Sequence, residues 1–265
     1  MQSFNYHTHT YRCGHADSSI SDEEYVKLFI DKGFKKIAFT DHCPQKDKID
    51  LRENMRMKYS QKDEYYQSIK GLKEKYKDII DIELGFEIEY LPQLEDYLKN
   101  LKKETDKLVL GQHFILDNDQ KLKIFRYHHF NYDDLIKYAR LIERAMEENI
   151  PDVIVHPDLY MLSRDRFDKG AEDAAHIICK AAEKYGVPLE INLTEIVLFL
   201  NDRIKKISYP CKEFWEIATK YNVKVIYGID AHYKNQIELY EESIKTANKL
   251  IGDVIIDKLN FCELL

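Results

Sequence analysis

An α/β fold of parallel strands, curled into a closed or nearly closed barrel, is what the sequence predicts. Three observations carry the expectation. Short apolar runs of strand length alternate seven times with helical patterns, metal-binding residue types gather just after those runs, and no linker-like segment divides the chain. Alternation of this kind implies parallel strands joined by helical crossovers. An open doubly wound sheet satisfies the same alternation, and a barrel suits seven units. One domain, 1–265, is expected.

The strands come first. Runs 4–6, 36–40, 82–87, 108–111, 153–155, 187–191 and 223–228 are rich in Ile, Val, Leu or Phe and too short for core helices. Between them lie helical patterns. Ser21 followed by Glu24 reads as a capping box leading into 25–34. In 65–76, apolar Ile69, Leu72 and Tyr76 recur at three- and four-residue spacing, which puts them on one helix face. Segments 94–101, 135–146, 171–185, 214–221 and 237–250 read the same way.

Composition narrows the function. Hydrophobic residues make up 44% and charged residues 33%, enough to bury a core without disulfides. A formal net charge of −7 argues against a nucleic-acid partner, which calls for a basic face. Five scattered cysteines read as reduced thiols rather than a disulfide framework. The N-terminus has no apolar signal core, and no run approaches the roughly 18–20 apolar residues of a membrane span. A soluble, cytoplasmic protein with no membrane partner is expected.

The chemistry is read at the strand ends. His7 and His9 close the first run, with His15 shortly after; Asp41 and His42 close the second; Glu87 ends the third. His113 follows the fourth, His156 the fifth, and Asp230 with His232 the seventh. Seven of the ten histidines therefore fall on the carboxyl side of a strand, the active-site face of parallel barrels. Each motif alone has an ordinary structural explanation, such as a cap, a turn or a satisfied histidine. Their recurrence at one end of successive strands does not. Imidazole mixed with carboxylate suits Zn²⁺, Mn²⁺ or Fe²⁺ better than Mg²⁺. Nine ligands exceed what one tetrahedral ion can use, so more than one ion is expected, with Glu87 able to bridge two.

The segments Tyr6-His7-Thr8-His9, Cys13-Gly14-His15-Ala16, Phe39-Thr40-Asp41-His42, Gly85-Phe86-Glu87, Leu110-Gly111-Gln112-His113-Phe114, Val155-His156-Pro157-Asp158 and Gly228-Ile229-Asp230-Ala231-His232 resemble the PHP (polymerase and histidinol phosphatase) family, in its order. The resemblance implies a distorted (β/α)7 TIM-like barrel holding three divalent ions. It places His7, His9, Glu87 and Asp230 on the first ion, His113 and His156 with a shared Glu87 on the second, and His15, His42 and His232 on the third. Asp41 and Asp17 receive no ligand role, and orienting work suits them better. Met55-Arg56-Met57, the stretch from Arg52 to Tyr90, Glu190-Ile191-Asn192 and Tyr209-Pro210 look most like the histidinol-phosphatase branch, although Ile229 stands where that branch often has Ser.

The reaction so implied is hydrolysis of a small phosphomonoester, histidinol phosphate first, by a metal-activated water. Glu87, Asp230 and Arg56 are the expected catalytic residues, with Asp230 or a water carrying the proton to the leaving alcohol. Arg56, Arg203 and Arg164 are expected to bind phosphate, because guanidinium matches phosphate with paired donors. Phosphotyrosine or nucleotides are alternative substrates for the same metals. A metal amidohydrolase needs eight strands and usually a ligating Lys, and a non-catalytic metal protein would not need so open a site. Cys13 and Cys43 lie near the ligands and read as small buried neighbours or soft ligands. His128 and His129 read as surface residues, with a place bordering the substrate pocket as the alternative, and His176 as structural.

Overall fold

A computed structural model describes residues 2–45 and 55–263. In chain order the elements are β1 (Phe4–Asn5), α1 (Asp22–Asp31), β2 (Lys36–Phe39), α2 (Lys62–Tyr76), β3 (Asp81–Ile88), α3 (Glu95–Glu104), β4 (Lys107–Leu110), β5 (Phe114–Leu116), β6 (Leu122–Ile124) and α4 (Tyr132–Glu147). There follow β7 (Val153–Ile154), α5 (Lys169–Tyr185), β8 (Leu189–Asn192), α6 (Thr194–Leu200), α7 (Lys212–Ala218), β9 (Lys224–Gly228), α8 (Lys234–Glu238), α9 (Tyr240–Ile251), α10 (Asp253–Ile256) and β10 (Asn260–Phe261).

All seven expected strands are present, as β1, β2, β3, β4, β7, β8 and β9, and with β10 they form one parallel sheet in the order β1-β2-β3-β4-β7-β8-β9-β10. The sheet curls into a TIM-like α/β arrangement. Beyond β1 and β9 the chain pairs again at Thr8 and Ala231, with His9 N–H donating to Ala231 O at 2.9 Å. Lower down, side-chain amides replace the ladder: Gln2 donates to Tyr227 O at 2.7 Å and accepts from Tyr227 N at 2.9 Å. Asn5 Oδ1 accepts from Ile229 N at 2.9 Å. β10 takes the free edge of β9 there, Asn260 opposite Lys224. β10 and the antiparallel β5–β6 hairpin are not legible in the sequence, because two or three residues in charged surroundings make no periodic pattern.

Strand alternation sends one set of side chains inward and the other under the helices. Phe4, Tyr6, Ala38, Val109, Val153, Val155 and Ile226 fill the interior as one cluster. Its floor is ionic: Lys36 reaches Glu83 at 2.8 Å, Glu83 reaches Lys107 at 3.4 Å, and the Lys107 ammonium lies 4.3 Å from the Tyr6 ring centroid. The larger cluster packs sheet against helices, with Trp215, Tyr65, Tyr138 and Tyr160 fully buried. The Ser21/Glu24 capping box is present, and Asn131 with Asp134 makes another at α4. No helix among the described residues is long and apolar enough to cross a membrane.

The loop after β1 is clamped by one buried cation. Arg12 bonds Asp22 of α1 at 2.9 and 3.0 Å and Glu64 of α2 at 2.6 and 2.8 Å. Removing one partner of such a pair leaves a charge buried and unmatched. Arg12→Ala is expected to lower unfolding free energy by about 3 kcal/mol, read from urea midpoints. A change within experimental error would show that the loop holds its shape without the clamp.

Candidate metal centre

Because every strand of the sheet runs the same way, its carboxyl ends form one rim, and all nine expected ligands stand there. Glu87, inside the end of β3, is at the centre. Its Oε2 faces His42 Nδ1 at 2.9 Å, His9 Nε2 at 3.5 Å and His7 Nε2 at 3.6 Å. Its Oε1 faces His156 Nε2 at 2.9 Å and His113 Nε2 at 3.3 Å. Asp230 Oδ1 lies 3.3 Å from His7 Nε2 and 3.2 Å from both His9 Nε2 and His232 Nδ1. Donor atoms of His7, His9 and Asp230, of His7, Glu87 and His156, and of His15, His42 and His232 each come within 4.8 Å of one another.

Backbone geometry makes room for this packing. A Cβ on Gly111 would lie 1.9 Å from Glu87 Oε1 and 2.7 Å from the His156 ring, so only glycine lets β4 pass the carboxylate. His156 and Asp230 are held at φ 33° and 52°, the left-handed region that non-glycine residues avoid. His156 N–H donates to Glu190 Oε2 at 3.0 Å, and Asn192 and Thr194 donate to Asp230 Oδ2 at 3.2 and 3.0 Å. Strain of that kind persists where surrounding contacts over-determine it.

A further layer aims the rings. His7 Nδ1 donates to Glu190 Oε1 at 2.9 Å, which turns Nε2 towards Glu87 and Asp230. His113 Nδ1 meets Glu89 Oε1 at 3.0 Å, which turns its Nε2 likewise. His232 Nδ1 meets the Asp230 carbonyl at 3.0 Å, and His15 Nδ1 meets the Cys13 carbonyl at 3.2 Å. Asp41 is buried and accepts from Thr10 N at 2.6 Å and from the Thr10 hydroxyl, which shapes the turn carrying His9. Burial pushes its carboxyl up to about 7 against those bonds. Asp17 accepts from Ser19 at the cleft rim.

The donor set fits divalent cations. His7 Nε2, both nitrogens of His9, Glu87 Oε2, His156 Nδ1 and His232 Nε2 are buried with no neighbour in good hydrogen-bonding geometry, an arrangement that suits a partner of another kind. Burial would raise the Glu87 carboxyl, yet the His42, His113 and His7 charges hold it well below the ordinary range. Asp230 is likewise held down, burial being outweighed by His7 and His232. Burial and the neighbouring His232 and His42 keep His9 well below the usual imidazole value, hence neutral. Ionised carboxylates and a neutral imidazole are the ligating forms.

The cluster floors a cleft of about 1060 Å³. Arg203 lines it, and so does Arg126, which the sequence reading did not single out. Arg56 is also in the wall, but its guanidinium is engaged with Glu89 at 3.0 and 3.2 Å and with Cys43 O at 2.8 Å. Arg164 is outside the lining and bonds Phe130 O and Asp168, the N-cap of α5. Arg52 lies outside the described residues. His128 and His129 are exposed and not among the residues lining the cleft, and His176, on α5, bonds Tyr221 at 2.7 Å. Cys43 Sγ turns to Pro44 O and Tyr97 OH, both at 3.6 Å.

Sequence reading also gave Glu190 and Glu89 no role at the site. The available signal was a carboxylate inside a strand for Glu190 and one just past the end of β3 for Glu89; both are buried. Glu190→Gln is expected to weaken metal affinity by roughly 10–100-fold, measured by competition with a chromophoric chelator. Affinity equal to wild type would mean that His7 needs no fixed tautomer.

Comparisons with known proteins identify the family and the fold. A family model described as PHP domain matches residues 5–194. A Deinococcus radiodurans protein named "Probable histidinol-phosphatase" is 25% identical over 257 residues, covering 94% of each chain. Among solved structures, a HisK chain from Listeria monocytogenes superimposes with TM-score 0.73 at 21% identity, covering 88% of this chain and 97% of that one. A histidinol phosphate phosphatase from Lactococcus lactis, solved with Zn, L-histidinol and phosphate, gives TM-score 0.65 at 16% identity, covering 93% and 94%.

Proposed function

The chain belongs to the PHP domain family, and from that premise we propose that it is a metal-dependent phosphomonoester hydrolase whose substrate is L-histidinol phosphate. One observation carries the reading: the two oxygens of Glu87 face two different sets of histidines, three rings on Oε2 and two on Oε1. A carboxylate so placed would give one oxygen to each of two ions. The ligand sets proposed are His7, His9, Glu87 and Asp230; Glu87, His113 and His156; and His15, His42 and His232, for three ions of the Zn, Mn or Fe kind. When bound, such ions supply Lewis acidity toward a phosphoryl oxygen and lower the pKa of water towards neutrality.

The chain's own residues do the rest. Arg126 and Arg203 face the cleft, and no ion pair of either is among those described. Each can give paired N–H donors to phosphate oxygens. Arg56 supports the site through Glu89, which in turn fixes His113. Asp230 stays ionised, so it accepts a proton rather than donating one, and Asn192 and Thr194 hold it in place for that. Phe125, Leu159, Leu162 and Val197 line the cleft and give it an apolar wall suited to the substrate's organic part. The Lactococcus lactis relative, solved with L-histidinol and phosphate, supports the choice of substrate.

The test is phosphate release from L-histidinol phosphate beside phosphotyrosine, mononucleotides and an aryl phosphate. A preference of about 100-fold or more in kcat/KM for the first is expected, the scale that pocket shape alone supplies before hydrogen-bonded groups add to it. Even turnover of the whole panel would keep the hydrolase and overturn the substrate.

A further inference from the structure

One buried thiol stands inside the imidazole cluster and belongs to none of the three ligand sets above. Cys13 is fully buried, and its Sγ lies within 4.8 Å of ring nitrogens of His9 and His232. Those rings stack, with centroids 4.0 Å apart and planes inclined by 20°. Both His9 nitrogens and His232 Nε2 are buried with no neighbour in good hydrogen-bonding geometry.

The local sequence fixes the thiol there. Thr10 caps the single turn Tyr11–Cys13 by accepting from Arg12 N, and Gly14 reverses the chain at φ 82°. Asp41 holds Thr10 from one side, and the Asp22–Arg12–Glu64 clamp holds the turn from the other. Two other cysteines have partners elsewhere: Cys43 turns towards Tyr97 and Pro44, and Cys211 towards Glu213 at 3.3 Å.

We propose that Cys13 is a thiolate ligand at the His9–His232 end of the cluster, so that one ion there is bound by sulfur as well as by nitrogen. The inference rests on the metal-binding half of the reading above and is independent of the substrate. On binding, the S–H proton passes to solvent and a sulfur–metal bond forms, with no change of oxidation state. Thiolate beside imidazole selects zinc-like ions over manganese and magnesium, which prefer oxygen. The site thereby biases the whole cluster towards zinc.

The experiment uses the full chain, stripped of metal under reducing conditions and titrated with Co²⁺ as an optical stand-in for zinc. Wild type and the Cys262→Ser control are expected to develop an intense near-ultraviolet sulfur-to-cobalt charge-transfer band, and Cys13→Ser to lack it. Visible ligand-field absorption reports that cobalt is bound in each sample. Cobalt-loaded wild type without the band overturns the proposal, a result that does not depend on the variant folding. A band that survives in Cys13→Ser overturns it too. Turnover of L-histidinol phosphate is read separately: band present with no turnover removes the substrate and keeps the sulfur, whereas turnover with no band removes the sulfur alone.

Discussion

Glu87→Gln is expected to reduce phosphate release by roughly 10³-fold or more, since losing about 4 kcal/mol of Lewis-acid stabilisation has that effect on a rate. The amide keeps the shape of the side chain and removes its charge. One of its two positions becomes an N–H donor facing either the Oε2 rings, His7, His9 and His42, or the Oε1 rings, His113 and His156. Neither orientation leaves two anionic oxygens for two ions. The strand should survive, because Glu87 N–H bonds the Thr40 and Asp41 carbonyls rather than anything on the side chain. Circular dichroism should therefore match wild type while bound metal per chain falls.

In the metal-free protein the same substitution has a pH signature. The Glu87 carboxyl is held below its unfolded value, so its charge contributes stability above the ordinary carboxylate range, and that contribution is lost as pH falls through the folded value. Metal-free Glu87→Gln should thus melt below metal-free wild type at pH 7, with the gap closing in acid. Turnover above a tenth of wild type with unchanged metal content would remove Glu87 from the centre.

Stripping the metals is the second large effect. A chelator should abolish turnover and lower Tm by on the order of 10 °C, given about 4 kcal/mol for an ion at 1,000 times its Kd and 2–4 °C per kcal/mol at this size. Restored zinc should return both. Protons compete for the same sites. Burial works to lower His7, but Asp230, Glu190 and Glu87 outweigh it and hold the ring well above the usual imidazole range; Asp230 does the same for His232. Those rings must lose protons to ligate, so metal uptake should release protons and Kd should weaken as pH falls. Unchanged Tm after verified metal removal would mean that the cluster holds no ion tied to the folded state.

How far the sequence reached is clear from particular residues. Period and apolar content are local properties, so the strands and their crossover helices could be read directly, as could the Ser21/Glu24 cap. Parallel alternation then implied a shared rim, and the nine ligand candidates did assemble on it. The partners of each side chain were less accessible. Arg56, expected at the phosphate, lines the cleft but is paired with Glu89, a contact no sequence pattern announces, and Arg164 lies beside the cap of α5. Arg126 gave no signal, because its place in the cleft depends on the β5–β6 hairpin just before it, three residues per strand in a charged stretch.

By itself, then, the sequence determined the order and kind of the elements and which side chains could ligate, since both follow from residue type and near-neighbour spacing. Only the tertiary structure decided which nitrogen of each ring faces the carboxylates at the centre of the cluster. His7 is aimed by Glu190, 183 residues away, and an orientation of that kind exists only once the sheet has curled far enough to bring β1 and β8 to the same rim.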